Sequence, residues 1–385
     1  MKFETGVSFL PKVQNMFALL LVAGGFWYFY GDTYQQVGIQ GVVEEVRTDI
    51  IELKENPEVI SAVNKVSNEI QLLFQELIQT LPEKEEENQQ VVDRPELKAP
   101  SEESFSVYNV EIGDTQEQVE LQVGEAKRSS LNEYGVDWVA YHENYQNFFM
   151  VAYDDQNKVA GLYTNQDLLT STMGISFTSS REAVLTKTDE PLTSIQKGFV
   201  SYKVQNNEEY DTFLIDQNYV TIFYDKHENQ TVTAVQIISE ELEQQREKFY
   251  PIPSEELKEG FEYQLFDLTN AARVTHGLSV LSWDEAVRET ARDHSKDMAD
   301  NNYFSHTNLN GQSPFDRMTE DNITYRMAGE NLATGQISSI FAHEGLMNSL
   351  GHRENILQSD FEGLGVGVAF STDSRPYYTE NFLTK

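Results

Sequence analysis

Near the C-terminus, three segments each supply a side chain able to ligate a metal or move a proton. They are Tyr303-Phe304-Ser305-His306, Gly329-Glu330-Asn331 and Asn348-Ser349-Leu350-Gly351-His352-Arg353-Glu354-Asn355. Imidazole titrates near neutrality and binds metals through either ring nitrogen. Ser305 and Ser349 stand close to the two histidines in sequence, the adjacency that a serine–histidine–acid relay needs. The chain has no Gly-x-Ser-x-Gly elbow and no HExxH helix, so the usual frames of a hydrolase turn and of a protease-type zinc site are missing. The residues leave three readings: a metal or ligand site, a hydrolytic centre, and a hydrogen-bonded cluster of His306, Glu330 and His352 that pins three loops together.

Composition narrows the setting. The chain has 385 residues, with 28 Lys plus Arg against 63 Asp plus Glu and a formal charge of −35. Such a field repels phosphate backbones, which excludes a nucleic-acid partner, and it attracts cations. The length suits two or three domains. There is no cysteine, so disulfides, thiolate ligands and a Cys nucleophile are all excluded.

From Met16 to Tyr30 the sequence carries no charge, and Lys2 and Lys12 precede it. Counted from Val13, roughly 18 residues at 1.5 Å each span ~27 Å, about one hydrocarbon core. The cluster Phe26-Trp27-Tyr28-Phe29-Tyr30 suits a membrane interface, and the leading lysines keep the N-terminus inside. Residues 1–31 therefore read as a signal-anchor, giving a single-pass protein of the cell membrane with its later domains outside. The competing reading is a secreted protein cleaved near Gly25, with Ala23-Gly24-Gly25 as the small-residue site.

Residues 32–81 read as a helical stalk. Val42, Val46, Ile50 and Leu53, then Ile70, Leu73 and Leu77, recur at helical spacing, interrupted at Pro57. Such a stripe must be buried by self-association or docking, unless the segment is a loosely ordered spacer. Residues 82–104, rich in acids and proline, read as a solvated linker.

Residues 105–245 carry one pattern twice. Ile112-Gly113-Asp114-Thr115 opens the first copy and Ile175-Ser176-Phe177-Thr178 the second, each followed by alternating apolar segments. Asp154-Asp155-Gln156-Asn157 and Asp225-Lys226-His227-Glu228-Asn229 fall where hairpin turns belong. A short helix with an antiparallel sheet, duplicated, fits best.

From residue 253 to 385 helices precede strands. Leu257, Phe261, Leu265, Leu268 and Ala272 share one helix face, with Gly277 as its stop. Ser282-Trp283-Asp284-Glu285 reads as a capping box for the next helix. On that helix His294 repeats with Val287, Ala291 and Met298, which predicts a packed core histidine. Ser313-Pro314 opens a short helix, and a further one runs from Ser338 to Leu350 with Gly351 ending it. Residues 364–370 and 377–382 read as strands.

This last region resembles the CAP superfamily (cysteine-rich secretory proteins, antigen 5 and pathogenesis-related proteins) in its bacterial form. The resemblance rests on Asn270-Ala271-Ala272-Arg273, Leu281-Ser282-Trp283, His294 to Met298, Tyr303 to His306, Gly311 to Pro314, Ala328 to Asn331, Asn348 to Leu357, Gly365-Val366-Gly367 and Tyr377 to Phe382. The duplicated region resembles the CAP-associated domain that precedes some bacterial CAP domains. Together these imply an α+β protein: a three-layer α-β-α sandwich after a duplicated helix-plus-sheet domain, a stalk and a membrane helix. The resemblance also implies a cleft of two His and two Glu. The first His falls on His306, the first Glu on Glu330 and the second His on His352, while the second Glu falls on Ser349 and a usual Trp on Leu346. His306, Glu330 and His352 would suffice for a divalent metal such as Zn²⁺ with an open water position. Glu344 would replace the missing acid only if its helix turned it inward; both it and His343 are expected on a solvated face. The implied role is a cell-surface binding module for a lipid, a peptide or a wall fragment. The alternatives are a hydrolase using the same cleft and a non-catalytic scaffold that recruits a partner.

Overall fold

A computed structural model describes residues 92–204 and 208–385. The apolar N-terminal span and the stalk lie outside the described residues. Among those described, no helix is long and apolar enough to cross a membrane.

The middle module is built on one seven-stranded sheet. A short strand β1 (Phe105–Val107) precedes helix α1 (Gln116–Val123), and β2 (Arg128–Leu131), β3 (Asp137–Glu143), β4 (Gln146–Tyr153) and β5 (Val159–Thr164) then meander antiparallel. After β6 (Leu169–Ser171), which pairs with β1, the second copy begins with α2 (Arg181–Leu185) and the hairpin β7 (Ser194–Lys197) and β8 (Val200–Lys203). Its strands β9 (Tyr210–Ile215), β10 (Asn218–Asp225) and β11 (Thr231–Ser239) follow, and α3 (Glu240–Gln245) closes the module. The sheet order is β2-β3-β4-β5-β11-β10-β9, so the two copies join where β5 meets β11. The N-cap residues of the two helices even bridge to matching places, Thr115 to Lys158 and Ser180 to Thr231. Both hairpin turns form where the acid- and Asn-rich segments stand. Asp154 Oδ1 accepts from the amides of Gln156 and Lys158, and Asn157 and Asn229 take the left-handed conformation that Asn tolerates.

The described half of the expected linker departs from expectation. Residues 92–104 lie against the middle module through backbone amides that an acid-rich segment still possesses. Ser101, Glu102 and Glu103 donate their N–H groups to the Glu111 carboxylate at 2.7–2.8 Å, and Ser104 donates to Asp216. Arg94 pairs with Asp167 at 2.9 Å.

The C-terminal module opens with α4 (Glu255–Thr275), whose Leu257, Phe261, Leu265, Leu268 and Ala272 are all buried, and Gly277 sits at φ 72° just past its end. Strand β12 (Ser282–Trp283) follows, so Ser282 is not the cap; Asp284 is, its carboxylate accepting from the amides of Ala286 and Val287 to start α5 (Glu285–Asn301). Next come α6 (Pro314–Glu320), β13 (Met327–Thr334), α7 (Ser339–Met347), α8 (Leu350–Ile356), β14 (Gly363–Phe370) and β15 (Pro376–Thr384). The expected single helix over 338–350 is thus two. Ser349 is extended at φ −104°, ψ 114°, and Gly351 sits inside α8 instead of ending a helix.

The four-stranded sheet, ordered β12-β14-β15-β13, is covered on both faces. On one, Val366 and Val368 join Phe261 and Leu265 of α4 in a core cluster. On the other, Gly365 and Gly367 let α5 lie directly on β14: a Cβ at Gly367 would stand 2.1 Å from the Arg292 amide nitrogen. The described residues form one compact unit. Its seam mixes Trp138 and Phe148 with Leu268, Ala271 and Ile340, and adds an Arg128–Asp267 pair at 3.0 Å and a Tyr145 hydroxyl donated to the same carboxylate.

Candidate functional site

Three elements meet at the site. Strand β13 carries Glu330 with its side chain 1% exposed, the loop after α5 carries the half-exposed His306, and α8 carries His352. His306 Nδ1 lies 2.9 Å from Glu330 Oε1, and Arg317 Nη2 of α6 lies 2.5 Å from Glu330 Oε2. The same guanidinium donates to the carbonyls of His306 and Gln312. Both carboxylate oxygens are therefore engaged in charge-assisted bonds, the strong class. An ionised carboxylate only accepts, so His306 places a proton on Nδ1 and leaves Nε2 outside this bond.

His352 is held differently. Its Nδ1 is 2.8 Å from the Ser349 hydroxyl. Ser349 is the N-cap residue of α8 yet makes no side-chain capping bond. Burial pushes the His352 pKa below its ordinary value, and the neighbouring His306 lowers it further. Asn331 donates to the His352 carbonyl and to buried Glu380, and Asn355 donates to the Glu330 carbonyl and to Asn331 Oδ1, so β13 and α8 are sewn together. Burial raises Glu380 to about 7.

Both oxygens of Glu330 are already bonded, so its carboxylate is not a ready metal ligand. Among the described residues no three His, Asp or Glu side chains are grouped to hold one. A cation at Glu330 would also have to displace either the Arg317 guanidinium or the His306 ring. Nor is there a continuous relay for hydrolysis: the carboxylate orients His306, the serine bonded to an imidazole is Ser349 on His352, and Ser305 Oγ accepts from the Thr307 amide.

The other expected residues are placed plainly. His294 is buried, with Nε2 on the Ser305 carbonyl, as its helix face predicts. Leu346 belongs to the core. His343 and Glu344, expected on a solvated face, are 1% and 4% exposed. For Glu344 the cause is the middle module: the Tyr163 hydroxyl donates to Glu344 Oε1 at 2.6 Å. Glu344 therefore faces away from the histidines and does not stand in for the missing acid. Burial pushes Glu344 up to about 7 and His343 down to about 3.

Sequence reasoning missed Arg317, Asn355 and Asn381. Arg317 shares with Pro314 and Met318 the i, i+3, i+4 spacing of a buried face on α6, a signal that marks a cation in search of a carboxylate. Asn381 pairs in register with Glu330, and its buried side-chain amide has no protein partner.

The comparisons agree with this architecture. Residues 112–249 match the model of the CAP-associated N-terminal family, and 266–382 that of the cysteine-rich secretory protein family, although this chain has no cysteine. A membrane protein of Bacillus subtilis, YlbC, is 31% identical over 291 residues, covering 71% of this chain and 82% of YlbC. This chain belongs to the CAP superfamily, in the bacterial group whose CAP domain follows a CAP-associated domain. YkwD of the same bacterium is 42% identical over 125 residues, covering 32% of this chain and 48% of YkwD. The crystal structure of an extracellular SCP-domain protein from Bacillus anthracis superposes with a TM-score of 0.62 at 28% identity, covering 77% of this chain and all of the other. The CAP fold explains why His306, Glu330 and His352, far apart in sequence, adjoin one another.

Proposed function

We propose that this CAP protein is a cell-surface binding module, held in the membrane by its N-terminal apolar span, that takes its ligand on the imidazole edges of His306 and His352 without a metal. The observation that carries the reading is that both oxygens of Glu330 are already bonded, one to Arg317 and one to His306. The carboxylate then acts as a buried anchor that fixes a tautomer, and the free imidazole nitrogen becomes the recognition group. Apolar side chains flank the histidines in sequence, Phe304 at 50% and Leu350 at 59% exposure, so a ligand with both hydrogen-bonding and apolar parts suits the site. The membrane placement is supported by the uncharged span before Asp32 and by the relatives: YlbC is named a membrane protein and the Bacillus anthracis homologue an extracellular one.

The test is co-sedimentation of the full chain with purified cell walls and, in parallel, with vesicles of the same cells' lipids. Wild type pellets with one of the two, and a His306→Gln/His352→Gln variant of unchanged thermal stability loses that association. Equal pelleting of both proteins removes the histidines from the binding surface. Fractionation of intact cells checks the anchor: released protein beginning at Phe26 contradicts it.

A further inference from the structure

Where the two modules meet, a second feature lies apart from the histidines: a cavity of about 470 Å³. Ligand pockets run from roughly 300 to 1,000 Å³. One wall is a row across the middle sheet, Thr212 on β9, Thr221 on β10 and Gln236 on β11, adjacent in register. The two threonine hydroxyls bond each other at 3.0 Å, whereas Gln236, 2% exposed, has no partner for its amide nitrogen. The CAP domain contributes the turn between β13 and α7 to the lining, and there the buried amide oxygen of Gln336 is also unpaired. One donor and one acceptor, each buried without a protein partner, thus come from the two modules. Folding does not leave such groups unpaired without cost.

Rings of Tyr210, Tyr219 and Phe341 supply apolar surface. The lining carboxylates are already neutralised: Glu209 by Lys226, and Glu243 by Lys197 and Arg246. Lys203, and Arg375 beyond its exposed pairing with Asp373 at 3.5 Å, therefore give the cavity a positive bias in a chain of formal charge −35.

We propose that this cavity binds a short extended peptide, one of whose backbone amides accepts from Gln236 Nε2 and donates to Gln336 Oε1 while a carboxylate of the peptide meets Lys203 and Arg375. A secondary amide is the simplest group that presents an acceptor and a donor on opposite edges. N-acetylglucosamine also carries one, but it has no negative charge for the two cations, so the peptide is favoured. The site is made only when both modules are present, which gives the CAP-associated domain a recognition role of its own.

The experiment is affinity selection by the full chain from a library of N-acetylated tripeptides with free carboxyl ends, then calorimetry on the most enriched sequence. A tetramer of N-acetylglucosamine forms the second arm. The expected result is a saturable tripeptide interaction that weakens at least about tenfold, or 1.4 kcal/mol, in Gln236→Leu. That variant should keep or raise its melting temperature, since it removes an unpaired amide. Amidating the peptide's carboxyl, or Arg375→Ala, weakens binding too, and His306→Ala leaves it unchanged. No enrichment, equal affinity in Gln236→Leu, or binding of the sugar tetramer without any tripeptide overturns the proposal.

Discussion

Glu330 shows how a single buried charge organises a site. Its carboxylate is 1% exposed and survives burial because a guanidinium and an imidazole each take one oxygen. Removing one partner of a buried pair leaves an uncompensated charge, which costs about 3–5 kcal/mol. Arg317→Met, which keeps the aliphatic packing, should therefore lower unfolding free energy in urea by about that amount, and Arg317→Met/Glu330→Gln should recover much of it. A single variant within about 1 kcal/mol of wild type would show that the pair is not structural. The histidines and Glu330 were legible in the sequence as chemistry, and His294 as core, because residue type and helical spacing report those directly. Their partners were less legible. Nothing in the string says that Ser349 bonds His352 and leaves its own helix uncapped by a side chain.

At the scale of elements, local signals worked where the chain decides for itself. The hairpin turns, the buried face of α4 and the helix start at Ser313-Pro314 all stand where their residues place them. They failed where tertiary contacts override propensity. Ser282 has the wording of a cap, yet pairing with Gly363 in β12 draws it into the sheet and hands the role to Asp284. Glycine within α8 reads as a stop, but the break falls at Asn348 and Ser349, where Asn348 is turned outward to the middle module and donates to the Tyr224 carbonyl. Two sheet glycines carry the opposite lesson: they are present because a helix lies on them. Gly367→Ala would drive a methyl into the Arg292 backbone, and overpacking of this kind costs about 1–3 kcal/mol. Thermal denaturation should show a marked loss; an unchanged melting temperature would mean that α5 rides up freely on β14.

Across the whole molecule, the middle module behaves as part of the CAP domain's core, a relation that no single segment announces. A residue that looks solvated in isolation, Glu344, is buried under a second module that bonds to it through Tyr163. The seam also carries Asp225, 2.9 Å from Arg353, the residue after His352, so the accessory module braces the helix that presents the histidine. Glu344 makes the seam pH-sensitive. Burial, with a smaller push from Asp225, raises its carboxyl from 4.5 to about 7. The folded state thus holds a proton that the unfolded chain releases: the contribution is complete below about pH 4.5 and is lost as pH rises through about 7. Glu344→Gln can still accept from Tyr163 and does not titrate, so its stability advantage over wild type should grow between pH 5 and pH 8 by on the order of 2–3 kcal/mol. His343, shifted oppositely, is common to both proteins and cancels; a pH-independent difference would place Glu344 in solvent. The proposal that the His/Glu cluster is a closed hydrogen-bonded anchor is tested most directly by Zn²⁺ calorimetry at pH 7.5 on wild type, Glu330→Gln and His352→Ala. A closed anchor gives weak binding that is the same in all three proteins. Tight stoichiometric binding by wild type, abolished in both variants and fading as pH falls through about 6.5, would contradict it and make the cluster a metal centre.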